Sequence, residues 1–464
     1  MSKLKKFKII IAFSSIIIIA CYIYLYSISS SNIKIQSHYV CSSFDHSLLY
    51  NNRTLLNNHI LRKFPSNSSY EFKSEGGWIK VFPHFFIYSA YSDNCQYIKN
   101  GNTQPCIKII SVVLSGLTLL KEYNPKPSCY IKNEKNVILK TGVITYTEIP
   151  ESHERCYVAA FIDCPLLKDN YSYPLWISIG HSSKDLKWIP VQNYPSSNKK
   201  NLAVCIRPLY GPFNQSVSLI EFVNYYYAAG VDHFYFYIQD IVPEIYQLFK
   251  FMLNEGKISI SLLNWNIELD SELIHESGQL AHIQDCILRS RNNFRYVILV
   301  DLDEFIVPHY QDNLKEMLYN LDAKYKNVGS YVFPMAFFCD EYIFQEHKSF
   351  ANFPFITLSN FIRQKTLWYY HERSKTIVNP AVVKIGGIHF VWKHFDNYKE
   401  VRISGDIALL HHYRSCCGMQ QTWIFHLKSF HVLSDKTLKD KSMLKFQEKM
   451  LNSLIMKALY KLIL

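Results

Sequence analysis

The sequence predicts an α/β domain with a mostly parallel sheet, preceded by a small β-rich module and an N-terminal transmembrane helix. Three observations lead to this prediction. Strands alternate with helices after Leu202, short apolar runs separated by turn residues fill residues 76–180, and a long uncharged run follows the first eight residues. At 464 residues the chain exceeds the roughly 250 to 300 residues over which one core keeps growing, so one domain with accessory parts, or two domains, is expected.

The N-terminal segment has the features of a signal anchor. Residues 1–8 (MSKLKKFK) are basic, and residues 9–29 form an uncharged run of about 21 residues, long enough to cross a bilayer as a helix. The positive-inside rule places residues 1–8 in the cytosol as a short tail and the body of the chain in the lumen, as in a single-pass type II membrane protein. A cleaved signal peptide is the alternative, although its apolar part is usually only about 7 to 15 residues long.

The composition agrees with a body in the secretory pathway. N-glycosylation acceptor sequences begin at Asn52, Asn67, Asn170 and Asn214. The 12 cysteines show no zinc-ribbon or CxxC spacing, which favours disulfides in an oxidising compartment. The formal net charge of +12 favours anionic ligands or membrane surfaces. Because the lysines are scattered and the sequence has no basic helix with interleaved aromatic residues, no nucleic-acid partner is expected.

Changes in composition divide the chain after the anchor into five segments. Residues 30–75 are rich in Ser and Asn, as a stem is, and residues 76–180 form the β-rich accessory module. Residues 181–201 end in a polar cluster typical of a linker, and residues 202–430 form the α/β domain. Residues 431–464 carry basic and apolar residues at helical spacing, which predicts a helical segment that closes the domain. A helix on the membrane surface is the alternative.

Within the α/β domain each element has a local signal. LAVCI is a strand, and the following helix, SLIEFVNYYYAAG, has Ser218 and Glu221 spaced as a capping box and Gly230 at its C-cap. HFYFYI is the second strand, Pro243 opens the next helix, and KISISLL is the third strand. The segment 271–292 has one apolar helical face, and YVILVD is the fourth strand.

Three carboxylates, Asp301, Asp303 and Glu304, follow the fourth strand in FRYVILVDLDEFIVP. Ionised groups are costly to bury without positive partners, and ligands of open α/β sheets bind at the carboxyl ends of strands. In an extended chain Asp301 and Asp303 face the same side, where two carboxylates suit a hard ion such as Mg²⁺ or Mn²⁺. The alternative is a strand end that caps a helix or pairs with Lys and Arg.

Two adjacent histidines, His411 and His412, follow another apolar run in SGDIALLHHYR. Adjacent residues of a strand face opposite sides, so one imidazole can bind a metal while the other points away. Beside the two aspartates, the pair offers one metal ligand late in the domain. The alternative, commoner for histidine taken alone, is a side chain in the core or on the surface.

Six sequence blocks lie in order between about Cys205 and Arg414: CIRPLYGP, EFVNYYYAAGVDHFYFYIQD, GQLAHIQDCILRSR, YVILVDLDEFIVP, SKTIVNPAVVKIGGIHF and LLHHYR. This series resembles glycosyltransferase family 92. The resemblance implies a GT-A-type nucleotide-diphospho-sugar transferase fold in a single-pass Golgi membrane protein with a lumenal catalytic domain. It also implies a Mn²⁺-dependent, inverting hexosyltransferase, with UDP-galactose as the expected UDP-sugar donor and a glycan on a glycoprotein or glycolipid as the acceptor.

The resemblance further implies roles for single residues. Asp303 is the expected direct Mn²⁺ ligand, and Asp301 lies nearer the ribose or a metal-bound water. His411 or His412 is the late metal ligand, with a slight preference for His411. The residues expected at the donor are Arg207, Tyr210 and Asp240, which border the uridine, and Asp285 and Arg289, which lie near the sugar or diphosphate. An intrahelical salt bridge is the alternative for Asp285 and Arg289, and their spacing favours it.

Inversion at the anomeric carbon needs a carboxylate that accepts the proton of the acceptor hydroxyl. Asp340 and Glu341 in FFCDEYIF and Asp406 in SGDIALL are the candidates, and the sequence does not rank them. Two other functions stay open. A membrane-anchored glycan-binding pseudoenzyme keeps only the fold, which the intact aspartates argue against, and a lumenal metal-dependent phosphohydrolase needs more ligands than the region offers.

Overall fold

A computed structural model describes residues 47–64, 76–96, 103–115, 127–141, 144–166, 175–184, 186–192, 199–340, 354–416 and 437–463. These residues form two compact units, the first within 76–192 and 264–289, the second within 47–64, 199–263 and 290–463. The predicted cytosolic tail, transmembrane helix and much of the stem lie outside the described residues. Within the described part of the chain, no helix is long and apolar enough to cross a membrane.

Helices are found in both units and in part of the predicted stem. They are α1 (Ser47–Lys63), α2 (Ser216–Ala228), α3 (Pro243–Asn254), α4 (Gln279–Ser290), α5 (Leu314–Lys324), α6 (Gln447–Leu451) and α7 (Leu454–Ile463). Helix α1 lies within the predicted stem and packs on the second unit, since its Ile60 is fully buried in the core of that unit and Arg53 pairs with Glu221 at 2.7 Å.

The first unit contains one large, almost wholly antiparallel sheet. Its strands are β1 (Ile79–Phe82), β2 (Phe85–Gln96), β3 (Thr103–Leu114), β4 (Ser128–Lys132), β5 (Ile138–Lys140), β6 (Thr145–Glu148), β7 (Tyr157–Pro165), β8 (Trp176–Gly180) and β9 (Ile189–Gln192). Their order is β5-β4-β8-β9-β2-β3-β7-β6 with β1 beside β2, and β2 and β9 are the parallel pair. Strand β9 lies in the segment predicted as a linker. The segment forms a strand there because Ile189 and Val191 can be buried while Pro190 between them stays exposed.

The second unit contains the sheet that was predicted to be mostly parallel. Its strands are β10 (Lys200–Leu209), β11 (His233–Ile238), β12 (Ile260–Asn264), β13 (Phe294–Val300), β15 (Val328–Phe333), β18 (Lys375–Val378) and β21 (Lys399–Arg402), in the order β12-β11-β10-β13-β18-β15-β21. Strand β10 is parallel to β11 and β13, as expected. The sheet as a whole is mixed, because β18 enters antiparallel between β13 and β15, whereas β15 is parallel to β21.

A small three-stranded sheet in the same unit carries the histidine pair. It consists of β14 (Glu304–Pro308), β16 (Met335–Cys339) and β22 (Ala408–Arg414), with β22 in the middle. Strand β22 is antiparallel to β14 and parallel to β16. A disulfide between Cys339 and Cys416 joins the end of β16 to the residues after β22.

The remaining short strands are β17 (Ile362–Gln364), β19 (Val383–Ile385), β20 (Lys393–His394) and β23 (Thr437–Lys439). Strand β23 pairs with β17, and a 3₁₀ turn at Ser442–Phe446 leads into α6 and α7. Met450, Ile455 and Leu459 of these two helices are fully buried in the core of the second unit. Helices α6 and α7 therefore belong to the packed body of the second unit.

The local helix signals were partly right. Gly230 has φ +96° after the C-cap of α2, and Pro243 is at the start of α3, as predicted. The capping box is wrong, since α2 begins at Ser216, two residues before Ser218. Glu221 instead binds Arg53, and its Oε1 accepts hydrogen bonds from the backbone N–H and the hydroxyl of Thr357, each at 2.7 Å.

Candidate active site

The three carboxylates lie in a tight turn between β13 and β14. The backbone N–H of Glu304 donates to the carbonyl of Asp301 at 3.2 Å, and the backbone N–H of Asp301 donates to Glu304 Oε2 at 2.8 Å. The extended conformation assumed for Asp301 and Asp303 is therefore wrong. The position is as predicted, because β13 ends at Val300 and the carboxylates follow at its carboxyl end.

His412 is the histidine that reaches the carboxylates. The β14–β22 register pairs Glu304 with His412, and His412 Nε2 lies 3.1 Å from Asp303 Oδ2. Its Nδ1 lies 3.5 Å from Glu304 Oε1. The preference for His411 is corrected, because alternation along β22 turns that ring to the other face, where it stacks on Phe338 with centroids 4.2 Å apart.

A buried lysine compensates the negative charge of the turn. Lys375 Nζ lies 3.0 Å from Asp301 Oδ2 and 3.2 Å from Glu304 Oε2, and the side chains of Lys375 and Glu304 are each 3 % exposed. The antiparallel pairing of β18 with β13 puts its first residue, Lys375, beside the carboxyl end of β13. Arg207 adds a second positive charge, with its Nε 3.9 Å from Asp301 Oδ1.

These contacts set the protonation of the cluster. Burial acts to raise the pKa of Asp301, but the charges of Lys375 and Arg207 outweigh it and hold that pKa well below its ordinary value. Burial also acts to raise the pKa of Asp303, but the charge of His412 outweighs it and lowers that pKa. Burial acts to lower the pKa of His412, but the charge of Asp303 outweighs it and raises that pKa. Burial raises the pKa of Glu304 even beside Lys375. Asp301 and Asp303 are thus anionic at neutral pH.

Further basic side chains surround the carboxylates. Burial, with the nearby charge of Arg414, lowers the pKa of Arg373, whereas the charge of Glu304 acts to raise it. The Arg373 guanidinium lies over the rings of Phe337 and Trp368, at 5.7 and 5.0 Å from their centroids. The site therefore combines carboxylates that can hold a cation with arginines that can hold an anion.

The residues predicted to border the uridine lie at the same edge of the sheet. The β10–β13 register pairs Ile206 with Val300, so Arg207 lies beside Asp301. The Arg207 guanidinium is 5.4 Å from the ring centroid of Tyr210, which is 39 % exposed. Asp240 is exposed, and its backbone N–H donates to the carbonyl of Leu209 at 3.2 Å.

Asp285 and Arg289 belong to the first unit and form the intrahelical pair that their spacing favoured. Arg289 Nε lies 3.0 Å from Asp285 Oδ2, and both side chains are buried. The hydroxyls of Ser89 and Tyr91 in β2 each donate to Asp285 Oδ1 at 2.5 Å. These contacts link α4 to the sheet of its own unit, and the assignment of the pair to the sugar or diphosphate stays a prediction.

The three candidate bases lie in different places. Asp340 directly follows β16, which runs parallel to β22 with Phe337 opposite His412, so Asp340 lies toward the end of the sheet that carries the carboxylates. Asp406 precedes the other end of β22, about 20 Å of extended chain from His412, so the structure does not bring it to the cluster. Glu341 lies outside the described residues.

Sequence reasoning missed Lys375, Arg373 and the part played by Glu304. The signal for Lys375 was a charged residue at the start of the apolar run KTIV, whose four residues are all buried. A buried lysine needs a negative partner. That partner lies 74 positions away at Asp301, so the sequence alone could not identify it.

The donor set of the cluster fits a hard divalent cation. Asp301 and Asp303 offer carboxylate oxygens and His412 offers one imidazole, a combination that suits Mn²⁺. The Asp303 side chain is 47 % exposed, so one side of it is open to a ligand. Lys375 holds Asp301 from the buried side.

Comparisons with known proteins identify the family of the domain that carries this cluster. The sequence model of glycosyltransferase family 92 matches residues 200–452, which include every residue of the cluster. The chain is 23 % identical over 360 residues to "Beta-1,4-galactosyltransferase galt-1" of Caenorhabditis elegans, covering 73 % of this chain and 77 % of that protein. It is 28 % identical over 149 residues to "Glycosyltransferase family 92 protein F13G3.3" of the same organism, covering 30 % and 29 %.

Proposed function

The chain belongs to glycosyltransferase family 92, and on that premise we propose that it transfers galactose from UDP-galactose to a glycan with inversion at the anomeric carbon. The observation that carries the proposal is the contact of His412 with Asp303, beside Asp301 and a set of basic residues at a strand end. The galactose is supported by the name of the relative in Caenorhabditis elegans. That name specifies a β linkage, which an α-linked nucleotide sugar yields only by inversion.

Mn²⁺ is the proposed metal, in a GT-A-type arrangement. Asp303 and His412 would hold it together with Asp301, and it would supply positive charge that stabilises the departing diphosphate of UDP. Lys375 keeps Asp301 ionised and fixed, since it contacts that carboxylate from the buried side at 3.0 Å. The proposal therefore assigns Lys375 to positioning rather than to contact with the sugar.

Two residues on β10 and its end are proposed to bind the nucleotide. Arg207 offers a guanidinium for phosphate oxygens, and the exposed ring of Tyr210 offers a face on which uracil can stack. Asp240 lies next to them at the end of β11, where a carboxylate can accept a hydrogen bond from the base or ribose. Arg373, whose charge interacts with those of Glu304 and Arg414, adds positive charge near the carboxylates.

Asp340 is the proposed base. It accepts the proton of the acceptor hydroxyl as the oxygen attacks the anomeric carbon, and the bond from that carbon to the UDP oxygen breaks on the opposite face. Its place after β16, at the end of the sheet that carries His412, supports this choice over Asp406.

The proposed setting is the Golgi lumen, with residues 9–29 as the membrane anchor of a type II protein. The disulfides Cys129–Cys164 and Cys339–Cys416 support a lumenal body, because such bonds persist in oxidising compartments. The acceptor is proposed to be a glycan on a glycoprotein or glycolipid.

The test is UDP release by the purified full chain over a panel of UDP-sugars with glycan acceptors, in Mn²⁺ or in EDTA. We expect turnover of UDP-galactose that EDTA abolishes and that Asp303→Asn lowers by at least about 100-fold, as loss of several kcal/mol of charge stabilisation implies. The matched control is Asp396→Asn, whose side chain is 85 % exposed. Glycan binding without turnover of any sugar contradicts the proposal and favours the pseudoenzyme, and turnover of another sugar refutes the choice of galactose.

A further inference from the structure

A second cluster of ligand atoms lies on the opposite face of β22 from the carboxylates. His309, His411 and Asp440 each offer one atom, and these three atoms all lie within 4.8 Å of one another. His309 follows β14, His411 lies in β22 and Asp440 follows β23, so three distant segments of the second unit meet there. We propose that they form a structural zinc site, distinct from the site of Asp303 and His412.

His309 is oriented as a metal ligand. Its Nδ1 lies 3.1 Å from the carbonyl oxygen of Asp406, an acceptor only, so Nδ1 carries the proton and Nε2 keeps a lone pair. That Nε2 is buried and has no hydrogen-bond partner within the described residues. A buried polar atom without a partner is costly, and a metal ion at the centre of the cluster removes the cost.

The other two ligands are held by outer partners in the way metal sites require. His411 is fully buried, and its Nδ1 lies 3.2 Å from the hydroxyl of Tyr413. Its Nε2, 3.4 Å from the Ser442 hydroxyl, is then the ring atom available to the metal. Asp440 accepts from the Ser442 hydroxyl at 2.6 Å and from Arg363 Nε at 2.8 Å. Such partners fix the orientation of ligating side chains and are part of most metal centres.

The chemistry of the three ligands selects the metal. Two neutral imidazoles and one carboxylate suit Zn²⁺, whereas Mn²⁺, Mg²⁺ and Ca²⁺ prefer sites rich in oxygen. Tetrahedral zinc with bonds of about 2.0 Å separates its ligand atoms by about 3.3 Å, so the side chains must close by at most about 1.5 Å. A water would complete the coordination, as it does at other zinc ions with three protein ligands.

A metal here would stabilise the strand that serves the carboxylate site. His411 and His412 are neighbours in β22, so a metal bound to the first fixes the backbone from which the second reaches Asp303. The metal also ties the segment around Asp440 to β22 and to the end of β14. It takes no part in the transfer itself, so this inference holds whichever sugar the protein uses.

The test measures metal in the full chain, purified without a histidine tag, by elemental analysis and by Co²⁺ absorption. We expect about one zinc ion per chain, and a visible spectrum of tetrahedral Co²⁺ that zinc displaces. His309→Gln should lose the zinc and the spectrum, whereas His181→Gln, an exposed histidine of the first unit, and Asp303→Asn should keep both.

Stability gives a second readout. Removal of zinc should lower the thermal midpoint of the wild type by several degrees, to that of His309→Gln, because a ligand that binds only the folded state stabilises it. Added zinc should restore the wild type and not the variant. Wild-type protein that binds neither zinc nor Co²⁺ refutes the site, and so does a His309→Gln variant that retains zinc. A midpoint unchanged by zinc removal refutes its structural role.

Discussion

Replacement of Lys375 by methionine tests whether the carboxylate turn depends on one buried cation. Lys375 contacts Asp301 and Glu304 at 3.0 and 3.2 Å, so one buried ammonium group serves both carboxylates. Methionine keeps the length and apolar stem of lysine but removes its charge. The variant is therefore expected to leave the packing of β18 intact while the two carboxylates lose their common partner.

The expected loss follows from the contacts. Burial already raises the pKa of Glu304, so this group takes up a proton when the lysine is lost. Asp301, whose pKa Lys375 holds low against burial, is then left as one poorly compensated charge, since Arg207 lies 3.9 Å away and is one-third exposed. Removing one partner of a buried pair costs about 3 to 5 kcal/mol, and we expect a loss of stability in that range at pH 7.

The sign of the pH dependence is a second, independent expectation. In the wild type the folded pKa of Asp301 lies below its unfolded value, so its contribution to stability is present at neutral pH and lost as the pH falls. In Lys375→Met that pKa rises above the unfolded value, and protonation then favours the folded state. The difference in stability between variant and wild type should therefore narrow as the pH falls from 7 to 5.

The assay is urea-induced unfolding of both proteins at several pH values, followed by fluorescence. The matched control is Lys384→Met. Lys384 is itself only 15 % exposed, but its partner Asp396, 3.6 Å away, is 85 % exposed, so solvent screens the pair and the ion-pair loss should be only about 0 to 1 kcal/mol. Equal losses in the free energy of unfolding for the two variants would falsify the argument that burial strengthens the contribution of the Lys375 ion pairs to stability. If the difference in stability between Lys375→Met and the wild type grows as the pH falls, the uncompensated charge in the variant is not that of Asp301.

Two further predictions concern the catalytic base and the loss of stability at low pH. Asp340→Asn should lower kcat for galactose transfer by about 100-fold to 10,000-fold, and Asp406→Asn by less than about 2-fold; equal effects in steady-state kinetics would reject Asp340 as the base. Burial and the charge of Lys200 lower the pKa of His233 to about 4, so about 3 kcal/mol of stability should disappear as the pH falls from 6.5 to 4. His233→Gln should lose that part of the acid sensitivity in unfolding measurements, and unchanged sensitivity contradicts this account.

Parts of the site could be read from the sequence because they depend on neighbours along the chain. An apolar run followed by Asp301 and Asp303 predicted carboxylates at a strand end, and the structure puts them there. Arg207 was expected at the end of the first strand of the domain, and the parallel pairing of β10 with β13 brings it to Asp301. Strand type and chain order were sufficient for these positions.

Other parts depended on which strands pair and in which register. The choice between His411 and His412 is decided by the pairing of Glu304 with His412, since a shift by one residue would turn the other ring to Asp303. Lys375 reaches Asp301 only because β18 enters the sheet antiparallel to β13. Local sequence carries no signal for either, because the pairing partners lie more than 70 positions away.

The sequence by itself determined the chemistry that is available: carboxylates after a buried strand, two adjacent histidines, and cysteines suited to disulfides. The tertiary structure alone decided how these groups are divided, with His412 facing the carboxylates and His411 facing His309 and Asp440. The physical reason is that residue type and periodicity are local properties, whereas the register of a strand is set by all the contacts its two faces make. One strand can therefore serve two sites, and only the packed sheet shows which histidine belongs to which.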